Sequence, residues 1–295
     1  MICGISIVRN EVDIIEFCLW HHLNQGLDGI IICDNGSTDG TLELLNKIST
    51  GDKRVTVISN DGPFHQEQIM NELYDMALGM GFSWAVFFDA DEIWKSDNGL
   101  AVDINNINSD YIEVEIENFV QNKSYNLNNV YKNIIWKVVE YTTEEKDIIN
   151  GVRSTVEYRW PSKFILKVSP YTHVGPGAHY FKYKDLNKII FNTNEVSENF
   201  KCYQVPVRSY DHLIRKAEHG VRLIQQEYSK KHGWECQRLG NLLLSDQAEL
   251  KNEWECNSTK DGKLRRPDQH TTHLFEDRYI LNRYKEFLRD RRGNL

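Results

Sequence analysis

Positive charge is what this 295-residue chain lacks: 35 Lys and Arg face 43 Asp and Glu, a formal net charge of −8. A general nucleic-acid binder needs surplus cations to neutralise phosphates, so that class is not expected. Cysteine is sparse as well. The six, Cys3, Cys18, Cys33, Cys202, Cys236 and Cys256, contain no Cys-x-x-Cys pair. That speaks against structural zinc and a disulfide framework and for a reducing, cytoplasmic compartment. Cys3, Cys18 and Cys33 lie in apolar runs, as buried thiols do. No apolar run is long enough to span a bilayer. Met1-Ile2-Cys3-Gly4 leads straight into a strand pattern, so no signal peptide is expected. No Gly-x-Gly-x-x-Gly follows the first strand, and Gly-x-x-x-x-Gly-Lys-Ser/Thr is absent. The phosphate loops of dinucleotide oxidoreductases and P-loop NTPases are therefore missing.

What remains is ordinary for a globular protein, 40% hydrophobic and 26% charged residues, enough for one large or two modest domains. Ile2 to Val8 reads as an apolar, β-branched strand. Glu11 and Asp13 open an amphipathic helix with Ile14, Ile15, Cys18, Leu19 and Leu23 at helical spacing. Ile30 to Cys33 is a second strand, ended by turn formers and a helix over Leu42 to Ile48 that Ser37, Thr38 or Asp39 can cap. Arg54 to Ile58 is a third strand, followed by a helix from about His65 to Met80. Trp84 to Phe88 is a fourth. Strands alternating with helices predict a mainly parallel sheet with crossover helices.

The fourth strand stops at Asp89-Ala90-Asp91-Glu92, three acids in four residues. Ligands of open α/β sheets sit at the carboxyl ends of strands. Asp89 and Asp91, two apart where the chain leaves the strand, can turn their oxygens toward one hard cation, Mn2+ or Mg2+. A solvated turn would contain the same residues.

Val8-Arg9-Asn10-Glu11, Asp34-Asn35-Gly36-Ser37-Thr38-Asp39-Gly40-Thr41 and Asp89-Ala90-Asp91-Glu92 occur in that order, each at a predicted strand end. Together they resemble the family 2 glycosyltransferases, more narrowly the bacterial-type branch with Arg-Asn-Glu and Asp-x-Asp-Glu motifs. The resemblance covers about the first hundred residues well. It implies a GT-A, Rossmann-like α/β fold, a nucleotide-diphosphate sugar donor (UDP the commonest), a carbohydrate acceptor, inversion at the anomeric centre and a divalent metal. It further implies that Val8, Arg9, Asn10, Glu11, Asp34, Asn35, Ser37, Asp61, Asp89 and Ala90 surround the donor, that Lys163 reaches donor phosphate, and that Asp89, Asp91 and a downstream histidine hold the metal. His179, after the turn Gly175-Pro176-Gly177, is the expected histidine and His173 its competitor.

The expected boundaries are a catalytic domain over 1–200, with a donor half to 95 and an acceptor half from 96, and a helical extension over 201–295. Asp110 to Phe119 alternates as a strand with Glu113, Glu115 and Glu117 on a wet face. Gln121 to Asn133 reads as a long loop, and Ile134 to Val139 and Phe164 to Val168 as strands. A long helix follows Arg208 to about Lys231, with Leu213, Ala217, Val221, Ile224 and Tyr228 on one face. Arg208 and that helix start could hold an anion, unless Ser209 is only a cap. A terminal helix over Asp277 to Arg292 carries basic residues that could touch an anionic membrane weakly. An inverting transfer needs a carboxylate base, for which Glu117, Asp211 and Asp246 are candidates. The rival readings are a sugar-1-phosphate nucleotidyltransferase, which should carry a glycine-rich basic loop, and a non-catalytic binding module.

Overall fold

The computed structural model describes residues 1–62, 65–125, 127–184, 188–190, 196–225, 233–266 and 271–293. In chain order the first elements are β1 (Ile2–Val8), α1 (Ile15–Asn24), β2 (Gly29–Asp34), α2 (Thr41–Gly51), β3 (Val55–Ser59), α3 (Gln66–Gly79), β4 (Trp84–Phe87), β5 (Glu92–Ser96), α4 (Leu100–Asn105), β6 (Tyr111–Val114) and β7 (Ile116–Asn122). Then come β8 (Trp136–Lys137), α5 (Glu145–Ile149), β9 (Lys163–Lys167), β10 (Thr172–Val174), β11 (Phe181–Tyr183), β12 (Lys188–Ile190) and β13 (Phe200–Gln204). The last are α6 (Tyr210–Gln225), α7 (Trp234–Ser245), α8 (Gln247–Cys256), β14 (Ser258–Thr259), β15 (Lys263–Arg265), β16 (Thr271–His273), β17 (Phe275–Glu276) and α9 (Tyr279–Gly293). They form two compact units, 1–117 with 161–204, and 118–160 with 205–295. The expected boundary at 200 falls four residues before the end of the first unit, and 118–160 belong to the second.

The first unit is built on a sheet of order β3-β2-β1-β4-β9-β6. β1 to β4 are mutually parallel, as the strand–helix alternation predicts, while β9 runs antiparallel to both β4 and β6. Ile5 is paired with Ile31 and with Phe87, and Val8, Asp34 and Ser59 share one register level. The carboxyl ends of these strands therefore open along one edge. Ile69, Met70, Leu73, Tyr74 and Ala77 of α3 bury against Cys3, Ile5, Ile31, Cys33 and Phe87 on one sheet face. Those α3 residues recur every three or four positions, so burial of that stripe is what makes the helix.

Two features here go beyond the sequence pattern. The acid turn is followed at once by β5, paired antiparallel with β13. Glu113, Glu115 and Glu117 are not a wet face. Glu113 is buried where it pairs with Phe164 of β9, and Glu117 lies 3.3 Å from Lys201 of β13. A pattern of alternation records two faces but not whether the polar one is later covered.

The second unit packs α6, α7 and α8 around Val120, Val156, Leu213, Ala217, Leu239, Leu250 and Trp254. The expected loop over Gln121 to Asn133 begins as β7 and contains a 3-10 helix, Leu127–Asn133. The expected strand over Ile134 to Val139 shrinks to β8, and the terminal segment adds the short strands β14 to β17 to its helices. On α6 the buried stripe is His212, Leu213, Ala217, Gly220 and Leu223. Val221 and Ile224 are only half-buried, and Tyr228 lies outside the described residues. The stripe turns because α7 passes so close that a Cβ on Gly220 would lie 1.7 Å from the Cys236 carbonyl oxygen.

Candidate active site

The loops that carry the Arg-Asn-Glu and Asp-Asn-Gly motifs are joined by hydrogen bonds spanning 27 to 30 residues and form one piece of structure. Asn10 takes a left-handed backbone, φ 58°, which asparagine tolerates better than most residues. Its N–H donates to Ser37 Oγ at 2.9 Å, and its Oδ1 accepts from Thr38 N–H at 2.8 Å. Glu11 N–H donates to Thr41 Oγ1 at 2.9 Å. Of the three candidate caps Ser37, Thr38 and Asp39, only Asp39 bonds the helix start, accepting from Thr41 N–H at 3.0 Å, while the N-cap position of α2 is Gly40, which makes no side-chain cap bond. Asn10 and Ser37, expected around the donor, are thus engaged with the opposite loop.

Asp34 ends β2 fully buried. Its Oδ2 accepts from Ser37 N–H at 2.9 Å, and its Oδ1 is buried without a hydrogen-bond partner. Next to it, Asn35 Oδ1 accepts from Asn60 Nδ2 at 3.2 Å. Asp61 is exposed beyond β3. Val8 and Ala90 are buried, so only their backbones can serve a ligand.

At the end of β4 the acid turn is tied from beneath. Lys163, the first residue of β9, is 1% exposed and places Nζ 2.8 Å from Asp89 Oδ2 and 2.7 Å from Glu92 Oε1. Lys163 is therefore turned into the fold; it does not extend toward a phosphate as expected. Its partner strand carries it there, since β9 is hydrogen-bonded along β4. The other oxygen of Glu92, Oε2, accepts Asp89 N–H at 3.0 Å and the Trp94 indole N–H at 3.1 Å. Asp89 keeps 41% of its side chain exposed while Glu92 has none. Asp91 is buried, with 9% of its surface exposed. Burial raises the Asp89 carboxyl, yet the Lys163 ammonium outweighs it and leaves Asp89 below its usual range. Glu92 is pushed up to about 7, by burial first, with Lys163 opposing and Asp89 and Asp91 adding. Burial would lower the Lys163 amine, but the two carboxylates hold it above its usual value.

Behind the turn, the His22 ring stacks on Phe88, centroids 4.0 Å apart, and its Nδ1 donates to the Cys18 carbonyl at 2.8 Å. Burial pushes His22 down to about 4. Neither Glu92 nor His22 was singled out by sequence reasoning. Glu92 stood inside the motif, where its acceptor role was one residue type away from view; His22 had only a helical position.

His179 follows the 3-10 turn Pro176–Ala178, whose Gly177 has φ 63°. A Cβ at Gly177 would lie 2.8 Å from the His179 ring, so glycine is what allows the ring its position. His179 Nδ1 contacts the carbonyl oxygens of Pro161 and Ser162 at 3.0 and 3.1 Å. Both are acceptors, so Nδ1 carries the proton and Nε2 keeps a lone pair. Burial, then the Lys163 charge, push His179 down to about 4, which keeps the ring neutral. The competitor, His173, contacts Glu67 Oε1 through Nε2 at 2.7 Å.

The sequence profile of Glycosyl transferase family 2 matches residues 5–170, a span that contains all three motifs. The chain belongs to glycosyl transferase family 2. Its fold is GT-A and it is a glycosyltransferase. Among solved structures, S. aureus TarS 1-349 in complex with UDP-GlcNAc is similar at 13% identity and TM-score 0.40, over 86% of this chain and 78% of that one. TarS 1-349 in complex with UDP gives 13% identity, TM-score 0.39 and coverages of 87% and 78%. HddC from Yersinia pseudotuberculosis gives 15% identity and TM-score 0.31, over 41% and 64%. No curated protein matches the chain.

The remaining residues expected in this transferase's site fall in several places. Glu117 ends the first unit beside Lys201. Arg208, Asp211 and Asp246 lie in the second unit. Arg208 is fully buried, and its Nη1 donates to His212 Nε2 at 2.8 Å. Ser209 Oγ accepts His212 N–H at 2.9 Å, the capping alternative raised for that helix start. Asp211 is exposed in the first turn of α6. Asp246 is the N-cap of α8, accepting Ala248 N–H at 2.8 Å. Among the described residues, no three His, Cys, Asp or Glu side chains converge closely enough to hold a metal ion. No helix there is long and apolar enough to cross a membrane.

Proposed function

We propose that this transferase moves a sugar from a nucleoside-diphosphate sugar, UDP-linked by family resemblance, to a hydroxyl of a carbohydrate acceptor with inversion. The observation that carries this is the buried, partnerless Asp34 Oδ1 on the same strand-end edge as the tethered Asp89-Ala90-Asp91 turn. A buried acceptor without a donor is costly, and a nucleoside N–H or O–H would satisfy it. Glu11, Asn35 and Asp61 border the same edge, with the backbones of Val8, Arg9 and Ala90.

Asp91 and His179 are the residues that would hold a divalent ion, His179 through the lone pair on Nε2. They would hold Mn2+ or Mg2+ with diphosphate and water oxygens filling the other positions. Such an ion supplies charge neutralisation for the departing diphosphate. The chain's own residues bind the nucleoside and orient the acid turn. A carboxylate takes the acceptor proton, and Glu117 is the candidate that lies in the first unit with the donor site. A cytoplasmic location accords with six free cysteines.

Thermal unfolding with UDP, GDP, dTDP and CMP, each with and without Mn2+, tests the reading. One nucleoside diphosphate should raise the midpoint in a metal-dependent manner, and Asp91→Asn should abolish the rise. No rise with any of the four would overturn it.

A further inference from the structure

We propose that Lys163 and Glu92 are positioning residues, which set the carboxylate of Asp89 for the donor without touching the donor themselves; this rests on the donor-site reading above. Both are inaccessible, at 1% and 0% exposure, whereas Asp89 reaches from them to the surface. Lys163 holds Asp89 by its side chain, Oδ2 at 2.8 Å, and Glu92 holds it by its backbone, N–H to Oε2 at 3.0 Å. The clamp is itself fixed. Glu92 opens β5 and accepts the Trp94 indole, and Lys163 opens β9, which is hydrogen-bonded on both sides to β4 and β6. A side chain anchored on a strand between two others holds a ligand-binding group more tightly than a loop can.

Stability does not explain the arrangement well. A buried ion pair adds little over apolar residues of the same size, because desolvation offsets its attraction. Three carboxylates in four residues would also repel one another, and the Lys163 ammonium is the cation that offsets this at the turn's inner side. One exposed oxygen-bearing edge of Asp89 is thereby presented in one orientation before any ligand arrives. That is preorganisation, which lowers the ordering cost of binding.

The test is a mutant cycle on nucleotide binding. Lys163→Met alone removes the cation that Asp89 and Glu92 both face, obliges the buried Glu92 to take up a proton, and should lower stability. Lys163→Met with Glu92→Gln removes both charges, keeps an acceptor for Asp89 N–H, and should recover stability. UDP with Mn2+ is the probe, followed by calorimetry. Asp89→Asn should weaken UDP by roughly tenfold in the natural chain but by less than about threefold in the double variant, since Asp89 is no longer set. Equal factors in both backgrounds would mean that Lys163 and Glu92 only support the fold, and would overturn the proposal. If the double variant does not fold, Lys163→Gln with Glu92→Gln takes its place under the same criterion. A natural chain that binds none of UDP, GDP, dTDP and CMP overturns the donor reading itself. That result takes this inference with it, and it is distinct from equal factors.

Discussion

Asp34→Asn separates the donor site from the fold, because the two should respond differently. The carboxylate is fully buried, with Oδ2 bound to Ser37 N–H and Oδ1 without a partner. Asparagine preserves the shape and the oxygen that accepts from Ser37. It replaces an unmet buried acceptor with an unmet donor, so the unfolding free energy should move by no more than about 1 kcal/mol. A chain this size would register that as a shift of roughly 2 to 4 °C in midpoint. Nucleotide binding should suffer far more. A hydrogen bond to a charged acceptor is worth about 1.5 to 3 kcal/mol, roughly a 10- to 150-fold loss of affinity. Calorimetric titration of UDP with Mn2+ into both proteins, beside their urea unfolding curves, measures the two quantities. Unchanged UDP affinity would refute the assignment of Asp34 to the nucleoside. A collapse in stability with it would show that Asp34 serves the fold.

Three further outcomes are expected. His22 is held neutral down to about 4 against an ordinary 6.5, so the unfolded chain binds its proton first as pH falls. Stability from this group is present above 6.5 and is lost toward 4, by up to about 3 kcal/mol. Glu92, raised to about 7, acts in the opposite sense across 4.5 to 7. The readout is therefore the difference in urea stability between the natural chain and His22→Gln from pH 7.5 to 4, which should shrink as pH falls; a constant difference would contradict the linkage. Gly220→Ala would set a Cβ against the Cys236 carbonyl and force α6 and α7 apart. A loss of about 3 kcal/mol or more is expected in thermal or urea unfolding, and a neutral result would mean that the helices do not cross there. Asp246→Ala should remove the cap of α8 and cost about 1 kcal/mol, while Asp246→Asn should cost little. Unfolding curves of the pair check it, and equal losses would rule out the cap.

The strand–helix alternation of residues 1–90 was legible from sequence because it rests on local periodicity. A stripe such as Ile69, Leu73 and Ala77, or a run such as Trp84 to Phe88, states its own burial. The positions of Asp34 and Asp89 were legible for the same reason. Each follows an apolar strand, and parallel strands joined by helices must end along one edge. Tertiary structure decided what touches those ends. Lys163 is 74 residues from Asp89 and 71 from Glu92, and only the pairing of β9 with β4 turns a lysine expected at a phosphate into a buried clamp. Pairing likewise covered Glu113 and Glu117, and the close passage of α7 rotated the buried stripe of α6. Sequence pattern specifies which residues seek burial; which charges meet, and which polar faces are covered, depends on contacts whose partners are far apart along the chain.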